Sequence, residues 1–328
     1  MDALSDVLRI VQLSGAVYLS ADFTAPWCLI AQPDGQLCSA FLPRSERVVS
    51  YHMVVEGSCL ACLGDSRHIA LRLDPGDVLV VPQGEEHLLG SDVALPAEPA
   101  APLLSELLRE RPGEVMRVAY GGGGAHTRIV CGFLTCDGVL SNPLLASLPR
   151  IFKVNLGTSV ESAWLASAIN FGAAEAAFPR AGSATVLAKL SELLFVQAVR
   201  RCIEGMPVQQ QGWLTALRDR YVGRAMLKLH GDPAYPWTVD ELARQVGLSR
   251  SALAQRFSEL LGQPPMQYLA QWRLHAAARE LSSGHRPLAE IADAAGYESE
   301  PAFSRAFKRQ FGQPPATWRN SHQALAQH

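Results

Sequence analysis

Apolar residues in the first 140 positions fall into short runs. Residues 48–55, 69–73 and 78–82 are apolar or alternating, and Gly57, Gly64-Asp65 and Asp74-Pro75-Gly76 punctuate them. Short strands at close spacing with Gly, Pro and Asp turns predict a β-sandwich or barrel. Between Ala94 and Gly124 a Pro/Ala-rich stretch, a helical patch over 103–110 and the run 121–124 read as loops interrupting the sheet. Residues 128–133 resume as a strand. From Leu144 the period lengthens. Residues 162–171 and 184–203 carry apolar positions three and four apart, and in the second segment Val186, Leu190, Leu193, Leu194 and Val199 make one stripe. The polar stretch 206–212 (MPVQQQG) reads as a linker. Everything beyond it is helical in pattern, cut by Pro-containing turns.

The last hundred residues repeat themselves. Residues 239–247 (VDELARQVG) match 288–296 (LAEIADAAG) at an offset of 49, and 249–265 match 299–315 at an offset of 50. Phe257 answers Phe307, Gly-Gln-Pro-Pro occurs in both copies, and Tyr268 answers Trp318. Each copy predicts a short helix, a turn through glycine and a second helix capped by serine. Thr238 and Ser249 suit N-caps because their hydroxyls accept from free backbone amides. Leu242, Ala243 and Val246 form one apolar face, Leu253 and Phe257 another, and Ala243 and Ala292 are small where two helices cross closely. That is a helix-turn-helix pattern, twice and in register. A helix over 272–281 lies between the copies. If it spaces them by about 34 Å, their second helices enter successive major grooves on one face of DNA.

Composition narrows the class. The chain has 328 residues, 48% hydrophobic and 18% charged, enough apolar material for two or three packed domains and unlike a disordered chain. No run of about 18 apolar residues predicts a membrane span, and the amino terminus lacks the pattern of a secretory signal. Seven scattered cysteines fit buried thiols in a reducing compartment, hence a cytoplasmic protein. The net charge of −2 hides an asymmetry. From Trp213 onward 14 Lys+Arg face 10 Asp+Glu, net +4, which leaves net −6 for residues 1–212. A basic tail points to an anionic partner once its charges fall on a recognisable surface.

Residues 236–243 (PWTVDELA), 247–253 (GLSRSAL), 296–308 (GYESEPAFSRAFK) and 312–319 (GQPPATWR) carry a family resemblance. On them, the stretch 217–319 resembles the DNA-binding domain of the AraC/XylS transcription regulators. The resemblance implies a seven-helix, all-α domain with two recognition helices. With Leu253 and Phe257 inward, Arg250, Ser251, Ala254 and Gln255 face out. With Phe303 and Phe307 inward, Glu300, Pro301, Ser304 and Arg305 do. By the family pattern Ser251, Gln255, Glu300, Ser304 and Arg305 sit where side chains reach base edges. Arg305 can pair with guanine O6 and N7, a contact worth about 1–3 kcal/mol of discrimination. Gln255 stands where arginine is usual and would favour adenine. Arg250, Arg256, Lys308 and Arg309 read as phosphate contacts, which position without specifying. The competing reading of each exposed arginine is a merely solvated side chain. Glu300 either repels phosphate or accepts from cytosine, and Trp237, Trp272 and Trp318 read as core.

The front half holds a second resemblance. Residues 76–87 (GDVLVVPQGEEH) fit the second cupin motif, G-x5-P-x-G-x2-H, at every fixed position. His52 and Glu56 are spaced like the last His and the Glu of the first motif, with Ser50 where its other His would stand. The front half thus resembles the cupin-like sensor of one AraC subgroup, and Cys131-Gly-Phe and Leu148-Pro agree with that subgroup. His52, Glu56 and His87 would be the effector contacts, or three N/O ligands for a divalent metal. Alternatively both histidines are interior residues bonded to backbone or to each other, which is preferred over catalysis with one ligand missing. Cys59 and Cys62 lie three apart on a strand and so point to opposite faces, against a zinc site.

The expectation is an α+β chain without catalytic residues. A cupin-like β-barrel sensor occupies 1–143, a helical extension with a possible dimer helix 144–206, a linker 207–216 and a double helix-turn-helix domain 217–328. Its function would be sequence-specific transcription regulation, with double-stranded DNA, an unknown small-molecule effector, RNA polymerase and a second copy as expected partners, and no membrane. Binding of effector would change operator affinity or polymerase contact through a coupling free energy. A cupin-type metalloenzyme with an accessory helical tail is the alternative, and a helical adaptor that avoids DNA is a third.

Overall fold

The computed structural model describes residues 14–32, 47–104, 116–136, 142–156, 180–206, 212–284 and 286–326, with residue 4 and isolated positions between 167 and 178. The expected helical patch at 103–110, the helix at 162–171 and the linker stretch 206–212 fall mostly outside the described residues, and of the linker expected at 207–216 the positions from Trp213 on are helical. The chain divides into two compact units, one from Leu13–Asp137 and Leu148–Gly205, the other mainly from Met206–His328. Among the described residues no helix is long and apolar enough to cross a membrane.

The first unit is a two-layered structure. One sheet has six strands, β1 (Ser14–Thr24), β3 (Arg47–Glu56), β6 (Asp77–Val81), β9 (Met116–Gly121), β10 (His126–Cys136) and β11 (Phe152–Asn155), in the order β11-β6-β3-β10-β1-β9. The other has five, β2 (Cys28–Ala31), β4 (Cys59–Leu63), β5 (Leu71–Leu73), β7 (His87–Gly90) and β8 (Glu98–Pro99), in the order β5-β4-β7-β2-β8. Among the described residues these sheets do not close into the expected barrel. Among the described residues no strand pairing joins one to the other; side-chain packing holds the layers together, with side-chain hydrogen bonds such as Lys153 Nζ to the Arg72 carbonyl at 2.6 Å. Ala21, Phe23, Val54, Leu79 and Ile129 of the larger sheet meet Leu29, Cys59, Ala61, Leu73 and Leu89 of the smaller in one apolar layer. Cys59 joins that layer while Cys62 packs behind the smaller sheet with Cys28, Leu88 and Val93, as strand alternation requires. Ile69 lies outside its expected strand, which starts at Leu71.

The outer face of the larger sheet carries α1 (Ser183–Gly205), which packs against β1, β10 and β11. Leu187, Leu190, Leu194, Phe195, Ala198 and Val199 are buried there. This splits the predicted stripe, because Val186 and Leu193 stay 41% and 39% exposed. Below the helix Tyr51 of β3 lies across from Gly132 of β10 and bonds through its hydroxyl to Ser191. A Cβ at Gly132 would come within 2.2 Å of that hydroxyl oxygen, so only glycine leaves room for the ring.

The second unit is all helix: α2 (Trp213–Arg218), α3 (Val222–Gly231), α4 (Val239–Val246), α5 (Arg250–Leu261), α6 (Pro265–Ser283), α7 (Leu288–Ala294), α8 (Glu300–Phe311) and α9 (Pro315–Ala326). Proline at the first position of α6 loses nothing, since that amide has no partner in the helix. The repeat is kept in space with different chemistry at equivalent points. Tyr268 Oη accepts from Trp213 Nε1 at 3.0 Å and lies 2.8 Å from His230 Nε2. Its counterpart Trp318 donates to Ser282 Oγ at 2.9 Å. His230 stacks on Trp272 at 3.5 Å, and burial pushes its pKa down to about 3.

Candidate nucleic-acid interface

Local chemistry shapes both helix pairs. Thr238 Oγ1 accepts from the Glu241 amide at 3.2 Å and starts α4, whose Leu242, Ala243 and Val246 are buried. Gly247, at φ +84°, ends it in the left-handed conformation, and the Gly247 and Leu248 amides both return to the Ala243 carbonyl. Ser249 caps α5 through the Ala252 amide at 3.2 Å, and Leu253 and Phe257 turn into the core. The second pair follows the same plan: Ile291 and Ala292 of α7 are buried, Gly296 turns at φ +72°, Ser299 caps α8, and Phe303 and Phe307 face inward. Pro287 precedes α7 where Thr238 precedes α4, so this helix starts without a side-chain cap.

Burying two aromatic or branched residues per turn-spaced face leaves the opposite face to solvent. Ser251, Gln255, Glu300 and Arg305 are exposed and Ser304 is half-buried; Arg250, Arg256, Lys308 and Arg309 are exposed as well. Several are already engaged. Gln255 Nε2 donates to Glu259 Oε1 at 2.8 Å, a bond that a base edge would have to replace. Arg250 pairs with Asp240 at 3.1 Å with both side chains well exposed, a weak tie in water. Arg256 is held harder. Its Nε and Nη2 both donate to Asp219 Oδ2, at 2.8 and 2.6 Å. Burial pushes the Asp219 carboxyl up, but Arg256 and the amides of Tyr221 and Val222 outweigh it and leave the group below the usual carboxylate range. Arg256 therefore joins α5 to the end of α2, a partnership 37 positions back that its outward spacing did not announce. Arg305 and Lys308 make no ion pair among the described residues.

In the sheet unit the three expected ligands do not converge. His52 of β3 and His87 of β7 meet across the apolar layer, Nε2 to Nε2 at 2.7 Å. His87 Nδ1 donates to the Glu85 carbonyl at 2.8 Å, so its Nε2 accepts and His52 Nε2 donates. Burial holds both rings below their ordinary pKa, His87 at about 4 despite its bond to the Glu85 carbonyl, and the charge His87 would carry lowers His52 further. Among the described residues His52 Nδ1 and Ser50 Oγ are buried without a hydrogen-bond partner. Glu56 is elsewhere. It stands at the end of β3, 60% exposed, 3.7 Å from Arg128 and 3.9 Å from His126. Among the described residues no group of three His, Cys, Asp or Glu could hold a metal ion.

Comparison with known proteins gives matches along the whole chain. A family model described as Cupin matches residues 2–204 and one described as Helix-turn-helix domain matches residues 242–321. A putative AraC-like transcription regulator of Streptomyces antibioticus is 33% identical over 325 residues, 97% of this chain and 98% of that one. The RCS-specific HTH-type transcriptional activator RclR of Escherichia coli (strain K12) is 28% identical over 327 residues, 99% of this chain and 100% of that one. The solved DNA-binding domain of AdpA, in complex with a target DNA, is 29% identical over 33% of this chain and 96% of that chain, with a TM-score of 0.31.

Proposed function

Because the chain belongs to the AraC-like transcription regulators, with a cupin domain in front and a DNA-binding helix-turn-helix domain behind, we propose that α5 and α8 are its two recognition helices, reading successive major grooves. The observation that carries this is the doubled helix pair with its caps and left-handed glycines, each second helix burying two large apolar residues and offering polar ones to solvent. Arg305 reads a guanine. Ser251, Gln255, Glu300 and Ser304 are the other base-edge residues, and Arg250, Lys308 and Arg309 contact phosphate. Arg256, already paired with Asp219, contributes by fixing α5 as much as by touching the backbone.

The front unit takes a small effector whose binding shifts operator affinity or polymerase contact, and a second copy is engaged in doing so. The unsatisfied Ser50 Oγ and His52 Nδ1, two residues apart on β3 and so on one face, are polar atoms at which such a ligand would be oriented. The metalloenzyme alternative loses its third ligand with Glu56 turned to Arg128.

Gel-shift titrations at a series of salt concentrations test the reading. Arg305→Ala is expected to lose about 10- to 100-fold in affinity for the operator and to stop discriminating at one base pair. Lys308→Ala is expected to weaken all sequences alike and to flatten the salt dependence. Equal, small losses on every sequence for Arg305→Ala would take that residue off the reading face.

A further inference from the structure

Arg273 lies midway along α6, the helix that joins the two helix pairs. Its Nε donates to the Pro233 carbonyl at 2.6 Å and its Nη2 to the Tyr235 carbonyl at 3.0 Å. Both carbonyls belong to the loop that leads into the Thr238 cap of α4. That loop is itself tied down, since Trp237 Nε1 donates to the Asp232 carbonyl at 2.9 Å and the Trp237 amide to the Tyr235 carbonyl at 2.8 Å.

The same guanidinium lies against the turn of the other pair. A Cβ built on Gly296 would come within 2.8 Å of Arg273 Cζ and 2.9 Å of its Nη2. Gly247, the repeat's equivalent glycine, has the same left-handed backbone and nothing within 4 Å of its Cβ position. The crowding is thus not a property of the turn. It exists in one copy because one side chain from the joining helix fills the gap between the copies. No carboxylate pairs with Arg273 among the described residues, so its fork is spent on backbone.

We propose that Arg273 is a positioning residue that sets the relative placement of α5 and α8, and so the spacing of the two DNA half-sites the protein accepts. The proposal rests on the two-recognition-helix reading. A guanidinium held by two carbonyls on one side and a bare glycine backbone on the other resists rotation of one pair against the other, because turning either would break the fork or press on Gly296. A lysine offers one point of attachment and cannot span both carbonyls.

The test uses the full chain and a duplex selected from random DNA by the wild-type protein, beside versions with one half-site scrambled or with one base pair inserted between half-sites. Wild type is expected to favour the intact duplex over both. Arg273→Ala is expected to lose about tenfold or more on the intact duplex, to bind the single half-site within about twofold of wild type, and to lose most of its discrimination against the insertion. Arg273→Lys should recover part of it. Gly296→Ala should behave like Arg273→Ala, whereas Gly247→Ala, with the same backbone strain and no guanidinium to displace, should keep its preference for the original spacing. Unchanged spacing preference in Arg273→Ala, or parallel losses on all duplexes, would overturn the proposal while leaving the two-helix reading standing. A wild type indifferent to the second half-site would overturn both.

Discussion

Phe307→Ala is expected to destabilise the helical unit by about 3–5 kcal/mol, the largest single effect the structure implies. Phe307 is fully buried, with ring centroids of Phe311, Phe303 and Trp318 at 4.6, 5.5 and 5.7 Å. Those neighbours come from both α8 and α9, and Trp318 is pinned further by its bond to Ser282, so they cannot collapse into the space a lost ring leaves. The cost is therefore the ring's transfer energy plus most of a cavity. Phe257 in the first copy is also buried, but among the described residues its ring contact is Tyr268, at 5.6 Å, and its removal should cost less. Urea unfolding followed by tryptophan fluorescence measures both; a loss below about 1 kcal/mol for Phe307→Ala would contradict the packing described.

Acid should weaken the sheet unit by roughly 2–3 kcal/mol between pH 7.5 and 4.5 through His87 alone. The folded ring titrates at about 4 because burial disfavours its charge, against about 6.5 in the unfolded chain. A depressed folded-state pKa gives stability that is whole above the unfolded value and drains away as pH falls from about 6.5 towards 4. His52 is depressed for the same reason and by the charge His87 would carry, so it adds in the same direction. The protonated pair would also place a cation between two apolar sheets and break the hydrogen bond that joins the two rings across them. In the helical unit His230, pushed down to about 3, follows the same sign. Melting temperatures across that range check this, and flat values would mean that water reaches these rings.

Legibility in the sequence followed the range of the interactions. α4, α5, α7 and α8 could be read because their determinants are local: caps at Thr238, Ser249 and Ser299, glycines where the chain turns, apolar residues three and four apart. The β6 strand could be read because all five of its residues are buried and apolar apart from Asp77. The β1 strand could not. Its Ser, Gly, Ala and Asp positions carry little pattern, and it is held by partners far along the chain, antiparallel to β10 and parallel to β9. Where β11 forms, the change of period near Leu144 suggested helix, but residues 152–155 pair with β6 instead.

The site residues divide the same way. Exposure on α5 and α8 followed from helical period. The fate of Arg256 did not, because Asp219 lies on another helix. Glu56 shares a strand face with His52 by spacing, yet the strand leaves the interior before reaching it and Arg128 takes the carboxylate. Arg273 gave no local sign. Its fork onto the Pro233 and Tyr235 carbonyls and the contrast between Gly247 and Gly296, invisible until the copies are in space, set it apart.

The most direct test of the central claim is selection of duplexes from a random DNA pool by the full-length protein. Two conserved blocks about one helical turn apart are expected, each lost when outward residues of α5 or α8 are replaced. A single block, or no enrichment over the starting pool, would contradict it.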